Sequence, residues 1–165
     1  MKKLIGILLV AVLFASCQTQ KKQWFDASTE IDLVKKLDAS FAGADWTTFR
    51  GSFADTAKIW VNTSWSEPGI SADTLTARFT VSRAGMTSLK LSNEVYEMIE
   101  TDDGNRWVHR WGVWEGTLAN GKSATWTSNA SFVVSGGKIS TAGYIFNALP
   151  GYLASQPDPV VAAQK

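Results

Sequence analysis

Cysteine and histidine are almost absent from this sequence, which has one of each, Cys17 and His109, among 165 residues. A single thiol cannot form a disulfide within the chain, and one histidine without further cysteines leaves no ligand set typical of zinc sites. No charge excess is present either, because 16 Lys and Arg stand against 15 Asp and Glu. A protein that binds nucleic acid would show a basic stripe or patch. We therefore expect a domain held by its apolar core, without metal, cofactor or nucleic acid.

The first 16 residues have the order of a bacterial export signal. Two lysines precede an apolar stretch over residues 4–14, and two small residues follow it. Such a stretch reaches about 16 Å as a helix, roughly half of the hydrocarbon core of a bilayer, and so is too short to span it. The next residues, Phe14-Ala15-Ser16-Cys17, resemble the lipobox of bacterial lipoproteins, in which the cysteine becomes the lipidated first residue of the mature protein.

Lipidation of Cys17 would place the protein on a membrane of the cell envelope. We expect residues 1–16 to be removed and residues 17–24 to form the lipidated tether. Glutamine follows the cysteine, which favours the outer membrane, facing the periplasm, under the sorting rule of enteric lipoproteins. The alternative is an ordinary secretory signal that happens to contain a cysteine.

The spacing of apolar residues divides the rest of the chain into a helical half and a strand half. Helical spacing predicts helices that begin near residues 29, 45 and 71–73, with a strand at about 58–63. From residue 87 the alternation predicts long strands, including 106–118, 122–134 and 138–147, before a closing helical turn at 150–155. This order predicts an α+β domain over residues 25–155, with helices on one face of a curved antiparallel sheet, and a loose tail at 156–165.

Several stretches carry a family resemblance. Asp45-Trp46-x-x-Phe49 and the stretch 53–60 look like the opening of nuclear transport factor 2-like domains. Trp111-Gly112-x-Trp114-x-Gly116-Thr117, and residues 137–139 leading to Asn147, resemble the SnoaL-like branch of that superfamily. The resemblance implies a cone-shaped fold with an apolar pocket, often dimeric through the sheet. Its members include isomerases, cyclases, dehydratases and non-catalytic binding modules.

The predicted strand 106–118 carries bulky aromatic residues on both faces. Alternation puts Trp107, His109 and Trp111 on one face, and Arg110 and Trp114 on the other. One face should line the cone, and the other should be covered by a partner or remain exposed. The alternation alone does not say which.

Two polar residues are candidates for catalysis. His109 has the only side chain whose ordinary pKa lies near neutrality, so it could transfer a proton at the pocket mouth; alternatively it is a strand histidine satisfied by a backbone carbonyl or by water. Asn147 falls where the resemblance to SnoaL-like cyclases implies an aspartate. An amide cannot take a proton as a carboxylate does, so that base would be absent.

Five tryptophans are candidates for the wall of a ligand pocket, because large flat side chains bind rings and hydrocarbon well. Each of them could instead fill the core. They are Trp46, Trp60, Trp65, Trp111 and Trp126.

Three functions follow as hypotheses. The first is an envelope lipoprotein that binds a small apolar ligand or a protein partner without catalysis. The second is a SnoaL-like or isomerase-like enzyme in which His109 transfers a proton on a carbonyl or hydroxyl substrate. The third is an interaction module whose second aromatic face forms a homodimer or a complex. The enzyme hypothesis gains if His109 and Asn147 point into one cavity.

Overall fold

A computed structural model describes residues 24–157 of the chain. The predicted signal, Cys17 and most of the tether lie outside these residues, as does the end of the predicted tail. The described part contains four helices, α1 (Thr29–Ala42), α2 (Trp46–Gly51), α3 (Ala72–Ala84) and α4 (Leu149–Ser155). Its six strands are β1 (Trp24–Phe25), β2 (Phe53–Val61), β3 (Met86–Glu100), β4 (Arg106–Leu118), β5 (Ser123–Ser135) and β6 (Lys138–Phe146).

Capping side chains set the starts of the first three helices. The side chain of Ser28 accepts a hydrogen bond from the backbone of Ile31 at 3.1 Å and begins α1. Asp45 and Ser71 make the equivalent bonds at the starts of α2 and α3. Each bond satisfies a backbone N–H that the first helical turn leaves without a partner. The helices therefore begin where the sequence predicts them.

The six strands form one curled sheet in the order β1-β3-β4-β5-β6-β2. Neighbouring strands are antiparallel except for β2, which runs parallel to β6. The sheet is thus mixed at one edge. After β2 the chain crosses through α3 to the far side of the sheet, and the antiparallel strands β3 to β6 then lead back to β2. Strand β2 also begins earlier than predicted, at Phe53 rather than near residue 58.

The helices cover one face of the sheet, which we call the inner face. Val108, Arg110 and Trp114 of β4 are buried there, beside Phe132 of β5. The opposite parity of β4 is only partly covered and forms the outer face. The structure thereby decides which parity of β4 lines the cone. No helix within residues 24–157 is long and apolar enough to cross a membrane.

Candidate ligand-binding cavity

A cavity of about 370 Å³ lies between the helices and the inner face of the sheet. Its walls are mostly aromatic. The helices contribute Phe41, Phe49 and Phe79, and the strands contribute Trp114, Trp126 and Phe146. The cavity therefore offers flat apolar surfaces of the kind that bind rings.

The aromatic wall is a packed cluster rather than a set of separate rings. The ring of Phe41 lies 5.0 Å from that of Phe79 and meets Trp114 edge-on, with centroids 5.2 Å apart. Trp114 stands directly opposite Trp126 in the pairing of β4 with β5. Edge-to-face contacts of this kind add to the stability that burial supplies, and they hold the wall in one shape.

The floor of the cavity carries a buried ion pair. Asp38, from the inner side of α1, is buried, and only 1% of Arg110 is exposed. Arg110 Nε lies 3.3 Å from Asp38 Oδ2, and the hydroxyl of Tyr96 donates a hydrogen bond to the same oxygen at 3.0 Å. Arg110 Nη1 donates to the backbone oxygen and the hydroxyl of Ser128, at 3.1 and 3.0 Å. A buried charge survives only with such partners, so these four residues depend on one another.

Burial changes the acidity of this cluster. It raises the pKa of the Asp38 carboxyl, and the opposing effects of the Arg110 charge and the Tyr96 hydrogen bond do not cancel the rise. Burial, followed by the nearby Asp38 charge, raises the pKa of Tyr96 as well. Asp38 therefore takes up a proton more readily than an exposed aspartate, while Tyr96 stays protonated as a donor.

Two buried side-chain atoms of the cavity lining have no hydrogen-bond partner among the described residues. The first, Arg110 Nε, still faces the Asp38 carboxylate in the ion pair, whereas the second, the hydroxyl of Tyr144, has no charged partner either. The ring is held by edge-on contacts with Phe79 and Phe132, at 5.7 and 5.5 Å. Burial raises the pKa of this phenol, which keeps its proton available. A buried hydroxyl without a hydrogen-bond partner lowers the stability of the fold. A ligand oxygen that accepts its hydrogen bond would recover that free energy.

The exposed part of the cavity lining, which we call the mouth, lies on α4 and at the end of β6. Asn147, Gly151 and Tyr152 line it, and the side chain of Asn147 accepts a hydrogen bond from the backbone of Leu149 at 3.1 Å. Helix α4 has no buried residue, and Asn120 Nδ2 donates to the backbone oxygen of Ala154 at 2.9 Å. Residues 24–157 contain no group of three potential metal ligands.

Comparison with solved structures places this geometry among known folds. No protein-family model and no curated protein matches the chain. A nuclear transport factor 2-like protein of unknown function from Burkholderia pseudomallei matches with a TM-score of 0.61 at 16% identity, over 79% of this chain and 100% of its own. A candidate polyketide cyclase from Xanthomonas campestris pv. campestris matches with a TM-score of 0.60 at 19% identity, over 76% and 96% of the two chains. A third, TerC co-crystallised with polyporic acid, matches with a TM-score of 0.58 at 17% identity, over 77% and 98%.

This domain has the nuclear transport factor 2-like fold. The identities are too low to carry over an activity, so the likeness concerns the fold alone. The α+β cone expected from the sequence is confirmed, as is the likeness to nuclear transport factor 2-like proteins and SnoaL-like cyclases.

Two of the residues predicted for the site line the cavity of this nuclear transport factor 2-like cone, Trp126 in its wall and Asn147 at its mouth. Trp46 instead packs against the rings of Phe41 and Phe49, at 6.2 and 5.8 Å, and is not among the lining residues.

The other predicted residues lie on the outer face of the cone. His109 stands between Trp107 and Trp111, and its Nδ1 lies 2.9 Å from the hydroxyl of Ser131. Trp60 and Trp65 also lie on that face. The structure therefore does not bring His109 and Asn147 into one cavity. Successive residues of β4 point to opposite faces of the sheet, so His109 faces outward while Arg110 and Asn147 line the cavity.

The polar residues on the cavity floor were not singled out in the sequence, although a signal for them exists. Asp38 lies four residues after Val34 and three before Phe41, so it occupies the apolar side of α1. Arg110 shares its strand parity with Val108 and Trp114, both buried. A single acid and a single base on two otherwise apolar faces of one core are expected to pair.

Proposed function

We propose that this chain is a binding protein of the cell envelope, anchored through Cys17, which takes a small, largely apolar molecule into the cavity without catalysis. The observation that carries the proposal is the buried Tyr144 hydroxyl, which lines an aromatic cavity and has no partner in the described protein. A volume of about 370 Å³ lies within the range of small-molecule sites.

The chemistry of the cavity restricts the ligand. The aromatic walls favour a ring or a compact hydrocarbon, and the Tyr144 hydroxyl favours a carbonyl or hydroxyl oxygen at its inner end. Since Arg110 already faces Asp38, the floor holds little excess charge for a strongly ionic ligand. A domain of the same fold has been crystallised with polyporic acid, which agrees with a small-molecule role.

A proton-transfer enzyme is the second candidate, and the raised pKa of Asp38 favours it. General acid–base catalysis works best when the pKa of the group lies near the working pH, and burial moves Asp38 in that direction. Asp38 lines the cavity, whereas His109 lies on the outer face. In this alternative Asp38 therefore takes the role that the sequence suggested for His109. Tyr144 would donate to a substrate carbonyl, as in an isomerase, cyclase or dehydratase.

Ligand capture tests the binding function. The protein is purified from the envelope, and co-purifying small molecules are extracted and identified by mass spectrometry. Tyr144→Phe should weaken binding of the recovered molecule about five- to tenfold, since one hydrogen bond to a buried donor contributes about 1 kcal/mol. Thr56→Val, which removes an exposed hydroxyl of β2 outside the cavity lining, is the control and should change the affinity less than twofold. Equal affinities for wild type and Tyr144→Phe would contradict the proposal.

Deuterium exchange separates binding from proton transfer. The recovered molecule is incubated with the protein in deuterated water, and deuterium at its carbon atoms is followed by mass spectrometry. An enzyme using Asp38 would catalyse this incorporation, and Asp38→Asn would abolish it while the molecule still binds. A binding protein would produce no incorporation above that of the free molecule.

A further inference from the structure

The outer face of the sheet carries a group of exposed apolar side chains, which we call the aromatic patch. It consists of Trp60, Trp65, Trp107 and Trp111, with Val95 and Ile145 beside them. The exposed fractions are 47% for Trp65, 39% for Trp111, 57% for Val95 and 65% for Ile145. A group of large, exposed apolar side chains is typical of a surface that binds a membrane, another protein or a ligand.

The rings of the aromatic patch are held in place by contacts with one another and with the sheet. Trp65 folds back from the loop after β2, packs against Trp60 in a tilted arrangement with ring centroids 4.6 Å apart, and meets Trp107 edge-on at 6.3 Å. This position requires Gly143 beneath it, because a Cβ there would lie 2.5 Å from a ring carbon of Trp65. The row continues through His109 to Trp111, with ring distances of 6.2 and 5.9 Å.

The outer face is divided along the strands. From Trp107 to Trp111 it is aromatic, whereas further along β4 it presents Glu115 and Thr117, beside Lys90 of β3 and Thr125 of β5. A bulge between Ser92 and Val95 separates the two parts of β3. The cavity mouth lies at the polar end, because Asn120, in the turn after Leu118, bonds to Ala154 of α4, and Leu118 itself lines the cavity. Trp107 and Leu118 are about 35 Å apart along β4 at the usual rise per strand residue.

The chain enters the domain at the aromatic end. Trp24 of β1 pairs with Ile99, which pairs in turn with Trp107. The indole of Trp24 is half exposed and donates a hydrogen bond to Glu97 of the outer face at 2.7 Å. Trp24 follows Cys17 by seven positions, and a fully extended chain of that length spans at most about 25 Å. A lipid on Cys17 therefore holds the aromatic end, and not the mouth, beside the bilayer.

We propose that the aromatic patch rests on the lipid surface at the level of the head groups, as a second membrane contact beside the anchor. Tryptophan is the side chain most typical of that level, because its ring is apolar while its N–H can meet water and head groups. Among the strand residues on this half of the outer face, Glu97 and Lys58 carry opposite charges. The neighbouring turns add the exposed acids Glu67, Asp102 and Asp103, so the contact does not require an anionic lipid. With the patch on the membrane, the cavity mouth stays on the aqueous side at the other end of the strands.

Fluorescence quenching in vesicles tests this proposal. The mature lipidated protein is purified from membranes in detergent and reconstituted into phosphatidylcholine vesicles with brominated acyl chains, which quench nearby indoles. Phenylalanine at both Trp65 and Trp111 should lower the quenched share of the emission by about half, since these two supply much of the indole at the interface. Trp46→Phe, on the helical side of the domain, removes an indole that the bromine does not reach, so it should not lower that share.

A charge in the patch gives an independent result. Ile145→Glu keeps every tryptophan, and its expected effect is to lift the patch from the lipid and at least halve the quenching. Val81→Glu is the matched control, because Val81 is 77% exposed on α3, away from the patch, and should have no effect. Absence of quenching in the native protein would overturn the proposal, as would equal effects of the two glutamates. So would sedimentation as a dimer with the patch unquenched, because a second copy would then cover it. None of these readouts depends on the cavity ligand.

Discussion

Replacing Asp38 by alanine removes the carboxylate that faces the guanidinium of Arg110 in the cavity floor. The guanidinium cannot respond by losing its proton, because arginine stays charged in proteins. The guanidinium would keep its bonds to Ser128 but would remain buried without a counter-charge. Breaking a buried pair in this way lowers the free energy of unfolding by about 3–5 kcal/mol.

Replacing the other partner should have a different pH dependence. In Arg110→Met, Asp38 loses the positive charge that lowers its pKa, so the pKa rises further above its ordinary value of 3.8. A group whose pKa is raised by folding contributes stability that is fully present below the unfolded pKa. That contribution is lost as the pH rises through the folded pKa. Arg110→Met should therefore be closer to wild type at pH 5 than at pH 7, while Asp38→Ala should show no such recovery.

Urea unfolding followed by tryptophan fluorescence at pH 5 and pH 7 measures both effects. The double variant Asp38→Leu/Arg110→Met should lie within about 1 kcal/mol of wild type, because it leaves no charge unpaired. Asp55→Ala breaks the exposed pair with Arg50 and serves as the control, with an expected loss of no more than about 0.5 kcal/mol. A loss below about 1 kcal/mol for Asp38→Ala would refute the reasoning, since it would mean that water in the cavity hydrates Arg110 well enough to replace the carboxylate.

Two further predictions concern packing. Gly143→Ala should displace Trp65, shift the tryptophan emission to the red and lower the free energy of unfolding by about 1–3 kcal/mol, because an added Cβ collides with the indole. Gly51→Ala is its control, since no atom lies within 4 Å of the added carbon and the helix should gain up to about 1 kcal/mol; a larger loss for Gly51→Ala would contradict this account. Phe132→Ala should lower the free energy of unfolding by about 3–5 kcal/mol in the same assay, as Phe132 is fully buried. Trp126→Ala should lower it less, because Trp126 already borders the cavity, and equal losses would show that the cavity is closed by packing.

The secondary structure could be predicted well because its signals are local. The spacing of Ile31, Val34 and Leu37 marks one helical side, and Gly43 ends the helix. The strand predicted at 106–118 agrees with β4 at both ends. The start of β2 was predicted late, since residues 54–57 alternate weakly between small and polar side chains. The parallel pairing of β2 with β6 has no local signal, because it depends on the path of the chain through α3.

The site could be predicted only in part. Alternation correctly separates His109 from Arg110, but aromatic residues on both parities leave the covered face undecided. Trp65 and Trp126 look alike as candidates for a pocket wall. The first lies on the outer face, and the second lines the cavity. Their difference arises from the placement of helices that are remote in the sequence.

By itself the sequence determined the helices, the strands and the two parities of each strand, while the export signal before its single cysteine stays a prediction. These depend on residue type and spacing over a few neighbouring positions. Only the tertiary structure decided that the Arg110 parity faces the helices, because burying either aromatic face would remove apolar surface from water. The same choice brought Asp38 and Arg110, remote in the sequence, into one ion pair, and left the Tyr144 hydroxyl at the cavity without a partner in the described protein.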